Sequence, residues 1–271
     1  MKLLNLVAGL TGTASAAAVL DPTPAKIPSR YESAVQGRRI LALSKLADLA
    51  TVFPDPGDSD ADTAENRPEG LGGVPVSLMD YVADCEDQGN PTLLAIKIAT
   101  SFKNVEAGSN MTISVRWIPP YPPAKRIGLL SRISSLLSFS GEQREGSEEL
   151  ALGPDPIPYS AANLPRFSLF GYLEPIEPDA VTSLKLAKCF TDKHHEAKWW
   201  LPGNAIHESS WARLVVTNVY WVGGFGNRAY IGWIPAEEWS SVTEQEWQQI
   251  RLPGERKGWS EWAVESTVVE L

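Results

Sequence analysis

The clearest pattern in the chain runs from Met111 to Trp117, where Met111, Ile113, Val115 and Trp117 alternate with Thr112, Ser114 and Arg116. A period of two sends one set to a buried face and the other toward water, which predicts a strand. Further strands are predicted at Leu49–Phe53, Val74–Val82, Thr92–Ala99, Arg166–Leu173, Ala212–Trp221 and Ala229–Ile234. Other stretches carry helical spacing. In Ser29–Leu46, Ala34, Val35, Ile40 and Leu41 share a face, Arg38 and Arg39 are expected to point outward, and Ser29 is positioned as N-cap. A second helix is predicted from Val181 to His194, capped by Asp179. Pro235–Trp239 opens a short third one, with proline early and Glu237 and Glu238 at the positive end of the dipole. Strands dominate and helices are few. A mainly β protein with peripheral helices (α+β), built as a barrel, accounts for this better than a parallel sheet, which needs a crossover helix after nearly every strand.

Between these elements the chain is polar and broken. Pro54–Gly73 reads as a loop and Asp84–Pro91 as a turn. Residues 118–165 stand apart as a Pro-rich insert, bounded by Pro119-Pro120-Tyr121-Pro122-Pro123 and Pro154-Asp155-Pro156-Ile157-Pro158. Inside it, Leu129, Leu130, Ile133, Leu136 and Leu137 give Ile127–Phe139 a short amphipathic pattern. A loosely packed loop insertion is the plainer reading; a lid, a partner-binding helix or a membrane-surface helix is the functional one. The tail, residues 251–271, reads as irregular.

The N-terminus changes the picture. Lys2, the apolar run Leu3–Leu10 and the small residues Thr11–Ala18 have the order of a secretory signal peptide, assigned to residues 1–18. Its apolar core is shorter than the roughly 20 residues a membrane span requires. Residues 19–30, with three prolines, form a linker, and residues 31–250 the folded domain. No later stretch is long and apolar enough for an integral membrane segment. The expected location is therefore outside the cell or in an endolysosomal or vacuolar lumen. In such a compartment Cys85 and Cys189, the only two cysteines, form either one disulfide or two buried thiols. Asn110-Met111-Thr112 is a glycosylation acceptor, so Asn110 is a candidate glycan site. Of the 271 residues, 43% are hydrophobic, enough for a sizeable core, and the formal charge of −9 argues against nucleic acid as a partner. Ten tryptophans point to an aromatic core or an apolar interface.

A resemblance rests on the last third of the chain. Lys193-His194-His195-Glu196-Ala197-Lys198-Trp199 is similar to the segment after the long helix of CREG proteins, with His195 where that family more often has proline. Trp211–Trp221 followed by Val222-Gly223-Gly224-Phe225-Gly226 resembles the family's penultimate strand, and Ile234-Pro235-Ala236-Glu237-Glu238-Trp239 its Pro-Glu-Glu-aromatic element. Upstream, Gly73-Val74-Pro75 resembles an early barrel strand. Ser101-Phe102-Lys103-Asn104-Val105 and then Asn110–Trp117 resemble the loop and strand of the wider pyridoxamine 5'-phosphate oxidase-like superfamily of FMN-binding split barrels. The similarity spans Tyr31 to Val242 without the insert. It implies a split β-barrel and a homodimer. It also implies a secreted or endolysosomal glycoprotein that has lost flavin and catalysis and acts through an unknown protein partner. The alternative it leaves is an oxidoreductase dependent on flavin mononucleotide (FMN) or haem.

Flavin phosphate requires fixed positive charge and donors. Lys103 with Ser101, and then Arg116, are the candidates for that role. A solvated loop lysine and an exposed strand arginine are the plainer readings, because no dense cluster accompanies them. Gly223-Gly224-Phe225-Gly226 resembles haem-degrading split barrels but reads more simply as a strand-end turn. His194, His195 and His207 lack the partners a metal site needs, and a helix-end histidine bonding the last carbonyls is expected. Ser209, Ser210 and His207 form no nucleophile pattern. No catalytic residue is assigned.

Overall fold

A computed structural model describes residues 27–55, 67–123, 160–226 and 228–259. The signal peptide, residues 19–26 of the linker, residues 56–66, the insert's Ile127–Phe139 and acidic run, and residues 260–271 of the tail lie outside the described residues. Among the described residues, seven strands form one antiparallel sheet. They are β1 (Leu46–Val52), β2 (Pro75–Tyr81), β3 (Thr92–Ile96), β4 (Met111–Arg116), β5 (Arg166–Pro175), β6 (Ser209–Val222) and β7 (Ile231–Pro235). The order is β2-β1-β4-β5-β6-β3, and β7 pairs with the far half of β6. Among the described residues five α-helices accompany it: α1 (Arg30–Leu43), α2 (Thr100–Glu106), α3 (Ala180–Lys193), α4 (Ala236–Ser241) and α5 (Glu244–Gln249). This is the split barrel of α+β type.

Period-two alternation decides which face is which. Met111, Ile113 and Val115 of β4 are buried, as are Ala47, Leu49 and Thr51 of β1. All of these but Thr51 meet Phe167, Leu169, Val219, Trp221, Ile234 and Trp239 in the main core. At the bulge between Phe170 and Gly171, β5 approaches β6 so closely that a Cβ on Gly171 would overlap the Val215 carbonyl oxygen. Only glycine permits that contact. A smaller core of Ala83, Leu94, Ile176, Leu186, Phe190, Ala197 and Trp211 lies under α3.

The helices begin where their caps place them. Ser29 and Glu32 close a capping box on α1, and the Asp179 carboxylate accepts from the Thr182 backbone N–H at the start of α3. Thr243 and Glu246 do the same for α5, a helix not anticipated although the Thr-x-x-Glu spacing is present in the sequence.

Three expectations are corrected. Ser101–Val105 is not a loop but lies within α2, where the Ala99 carbonyl accepts from the Phe102 and Lys103 N–H groups and Phe102 is buried. The strand expected at Thr92–Ala99 accordingly ends at Ile96. Arg38 and Arg39 do not face outward. Arg38 is 1% exposed. Its Nη1 donates to the carbonyls of Trp239 (3.2 Å) and Val242 (3.0 Å), and its Nη2 to that of Asp87 (2.7 Å). Arg39 pairs with Glu255 and donates to the Trp247 carbonyl (3.0 Å). The two arginines thus dock α1 onto the C-terminal helices, and Arg38 also onto the Asp84–Pro91 turn.

Candidate functional site

The outward side chains of the sheet line up in register across five strands. One row reads Asp48 (β1), Ser114 (β4), Ser168 (β5), Tyr220 (β6), Trp233 (β7). The next reads Arg116, Arg166, Val222, Ile231. A cleft of about 290 Å³ opens between them, lined by Asp48, Ser114, Arg116, Arg166, Ser168 and Tyr220 among others. Ser114 Oγ and Ser168 Oγ are hydrogen-bonded at 2.8 Å. Arg116 and Arg166 stand directly opposite each other, an arrangement of like charges that disfavours pairing unless something negative offsets it. Asp48 supplies one such charge, and Arg166 Nη1 donates to the Ala162 carbonyl at 3.3 Å. The cleft is therefore basic at one end. Toward β7 the same face becomes aromatic. Trp233 is 54% exposed, with ring centroids 5.4 Å from Phe170 and 5.0 Å from Tyr220.

The sequence candidates are not gathered at one place. Arg116 lies in this cleft. Ser101 and Lys103 sit on α2, which Asn104 ties to Thr51 of β1 through a 3.0 Å hydrogen bond. That is the Met111 end of β4, roughly 17 Å of strand from Arg116 at about 3.3 Å per residue. Ser101 is buried, and neither residue lines the cleft. Asn110 is exposed at the entry to β4. Arg166 and the serine pair were missed by sequence reasoning, since their proximity to Arg116 comes from cross-strand register alone.

Gly223 and Gly224 turn the chain after β6, with Gly224 at φ +144° beside the Asn163 carbonyl. His194 is 2% exposed, and its Nε2 lies 2.9 Å from the Val82 carbonyl, beyond β2. The expectation that it bonds the last carbonyls of its own helix is corrected. Its ring is packed between Tyr81 and Phe190, and burial pushes its pKa down. His195 is exposed, and His207 stacks on Trp200. Among the described residues no group of three or more His, Cys, Asp or Glu is placed to hold a metal.

Cys85 and Cys189 are bonded, joining the turn after β2 to α3. Next to the bond, Asp84 has a buried Oδ1 without a hydrogen-bond partner. Burial pushes its carboxyl from an ordinary 3.8 up to about 6, against the pull of Arg38 and Lys193 and with a further push from Asp87 and Glu244. A folded-state value above the unfolded one means that, between about pH 4 and pH 6, the folded protein holds a proton that the unfolded chain has released. Asp84 therefore lowers stability as pH rises through that window, by about 3 kcal/mol in all, and the cost is constant above it. Urea midpoints measured from pH 4 to 7 should fall less with rising pH in Asp84→Asn than in the parent. Identical profiles would remove Asp84 from the account.

No curated protein matches the chain. Among solved structures, a haem-binding protein from Mycobacterium smegmatis is 20% identical, with a TM-score of 0.47 over 80% of this chain and 62% of its own. The chain thus spans less than two thirds of that protein's length. A protein of unknown function from Agrobacterium tumefaciens strain C58 is 19% identical, with a TM-score of 0.43 over 83% of this chain and 64% of its own. An FAD-binding protein from Mesorhizobium loti is 13% identical, with a TM-score of 0.33 over 67% and 87%. Residues 28–241 match the family model described as CREG, beta-barrel. That span holds the register rows, the glycine turn and the Pro-Ala-Glu-Glu-Trp element together, and the chain belongs to the CREG β-barrel family.

Proposed function

We propose that this chain is a secreted, non-catalytic CREG-type glycoprotein that acts through protein contacts as a homodimer formed over the aromatic end of the sheet's outer face. The observation that carries the reading is the exposed pair Trp233 and Tyr220 packed on half-buried Phe170, extended by exposed Ile231 and by Tyr172 two residues along β5. A group of aromatic rings packed against one another on a sheet face is costly to leave in water and is the composition of an interface core. The signal-like N-terminus and the Cys85–Cys189 bond support an oxidising compartment. Sedimentation equilibrium should show a dimer, and Trp233→Lys should weaken it by about 30-fold or more, as removal of an interface hot spot does. A parent chain that sediments as a monomer would overturn the reading.

A second reading, an FMN- or haem-dependent oxidoreductase, is favoured by the Arg116–Arg166 pair. With Ser114 and Ser168 it offers donors for a phosphate or a carboxylate. The scattering of Lys103 and Ser101 away from Arg116 favours the first reading. Titration with FMN and haem, followed by the visible spectrum, separates the two. Saturable binding lost in Arg166→Ala would establish the second.

A further inference from the structure

A larger cleft, about 530 Å³, opens at the other edge of the sheet and is lined by Lys45, Leu46, Met79, Asp80, Tyr81, Lys193, His194 and Glu196. Its size lies within the range of small-molecule sites. Its frame is tied together from four directions. The Val82 N–H donates to the Lys45 carbonyl at 3.1 Å, and Leu46 pairs with Tyr81. The His194 ring rests 4.7 Å from the Tyr81 ring. Lys193 Nζ donates to the Ala42 carbonyl at 2.8 Å, and the Glu196 carboxylate lies beside the Tyr81 hydroxyl, whose pKa it raises.

The charges around this cleft are unequally satisfied. Glu196 is engaged by Tyr81, and Asp80 Oδ1 accepts from the Tyr81 backbone N–H at 2.7 Å. The two ammonium groups retain donors. Lys193 uses one of its three hydrogens on Ala42, and the Lys45 ammonium is in no hydrogen bond or ion pair among the described residues. Lys193 is half-buried, and burial pushes its pKa down against the pull of Asp84 behind it, with a smaller push from like-charged Lys45. An anion is the group that takes up the unused donors of both ammonium groups and offsets the burial of Lys193. Two lysines face two carboxylates in the lining, with Asp84 behind Lys193, so the cleft suits one negative charge better than two. The rest of the wall is apolar and open to solvent: Met79 is 67% exposed and Leu46 lies beside it. Methionine is the side chain that adapts most readily to a hydrocarbon ligand.

We propose that this cleft binds a small amphipathic carboxylate, its acid group at Lys45 and Lys193 and its apolar body along Leu46, Met79 and the Tyr81 ring. The proposal is independent of the dimer and of the Arg116 cleft.

Calorimetric titration of the whole chain near neutral pH with decanoate, decanol and decyl phosphate tests it. Decanoate is expected to bind once per chain and more tightly than the other two. Lys45→Glu and Lys193→Gln should each weaken it about tenfold or more, the loss of one charge-assisted contact. Lys97→Gln, at an exposed lysine paired with Glu208 outside the cleft, should change nothing. Lys45 is exposed, so Lys45→Glu decides the matter even if Lys193→Gln folds poorly. Absence of saturable binding, decanol binding as tightly as decanoate, or a Lys45→Glu chain indistinguishable from the parent would each overturn the proposal. Tighter binding of decyl phosphate would overturn the single-charge assignment.

Discussion

Replacing Arg38 with methionine is expected to lower the stability of the folded chain by about 3–5 kcal/mol, the range for breaking a buried charged network by removing one partner. Methionine fills much of the space of the arginine stem but donates nothing. The carbonyls of Trp239, Val242 and Asp87 would lose their donors inside the protein, and each unsatisfied buried group costs about 1–3 kcal/mol. Asp84 would also lose a cation that lowers its pKa, so the defect should shrink as pH falls and the carboxyl takes up its proton. Surrounding positions leave little room for adjustment. Gly89, at φ +71°, lies so close that a Cβ there would overlap the arginine, and its carbonyl accepts from Trp239 Nε1 at 2.9 Å. Arg38→Lys should recover only part of the loss, because one ammonium cannot reproduce a planar fork reaching carbonyls on two sides. Urea unfolding near neutral pH measures both variants. A methionine variant within about 1 kcal/mol of the parent would show that the three contacts do not hold α1 in place.

Arg38 also marks where the sequence stops being readable. The barrel strands were legible because alternation is local: Met111 to Trp117 shows its buried face within seven residues. Helix starts were legible at Ser29 and Asp179 because a cap and its target lie three residues apart. An arginine on a helix is ordinarily solvated. The carbonyls that make Arg38 an exception lie 49, 201 and 204 positions away, and no window along the chain contains them. The seven residues of α2 are too few to show a period, and the helix is fixed by burial of Phe102 and the Asn104–Thr51 bond. The candidate sites were hidden for the same reason. Arg116 was visible as a charge on a strand. Its partner Arg166 and the row from Asp48 to Trp233 exist only once five strands take their register. His194 was expected to serve its own helix end, yet it bonds the carbonyl of Val82, 112 positions earlier.

Converting Cys85 and Cys189 together to alanine is expected to cost about 4–5 kcal/mol, as the chain-entropy estimate gives for a loop of about 100 residues. The bond joins positions 104 apart in sequence. The small core beneath α3 is poorly equipped to replace it. Leu186 and Phe190 are the buried residues of α3, while Val181 and Leu184 at its start are exposed, Leu184 by 73%. The helix is therefore held by its second half, where Cys189, Phe190 and His194 meet the chain after β2. Loss of the bond should be felt there first: amide exchange in α3 and in the Asp84–Pro91 turn should accelerate before that of β4 to β6. That turn is also gripped by Arg38 through the Asp87 carbonyl. The alanine pair and Arg38→Met consequently act on one segment, and their combined effect should differ from the sum of the separate ones. Guanidinium unfolding of the parent, with and without reductant, and of the three variants provides the comparison. A reduced parent as stable as the oxidised one, or strict additivity, would mean that the bond and the arginine secure separate parts of the fold.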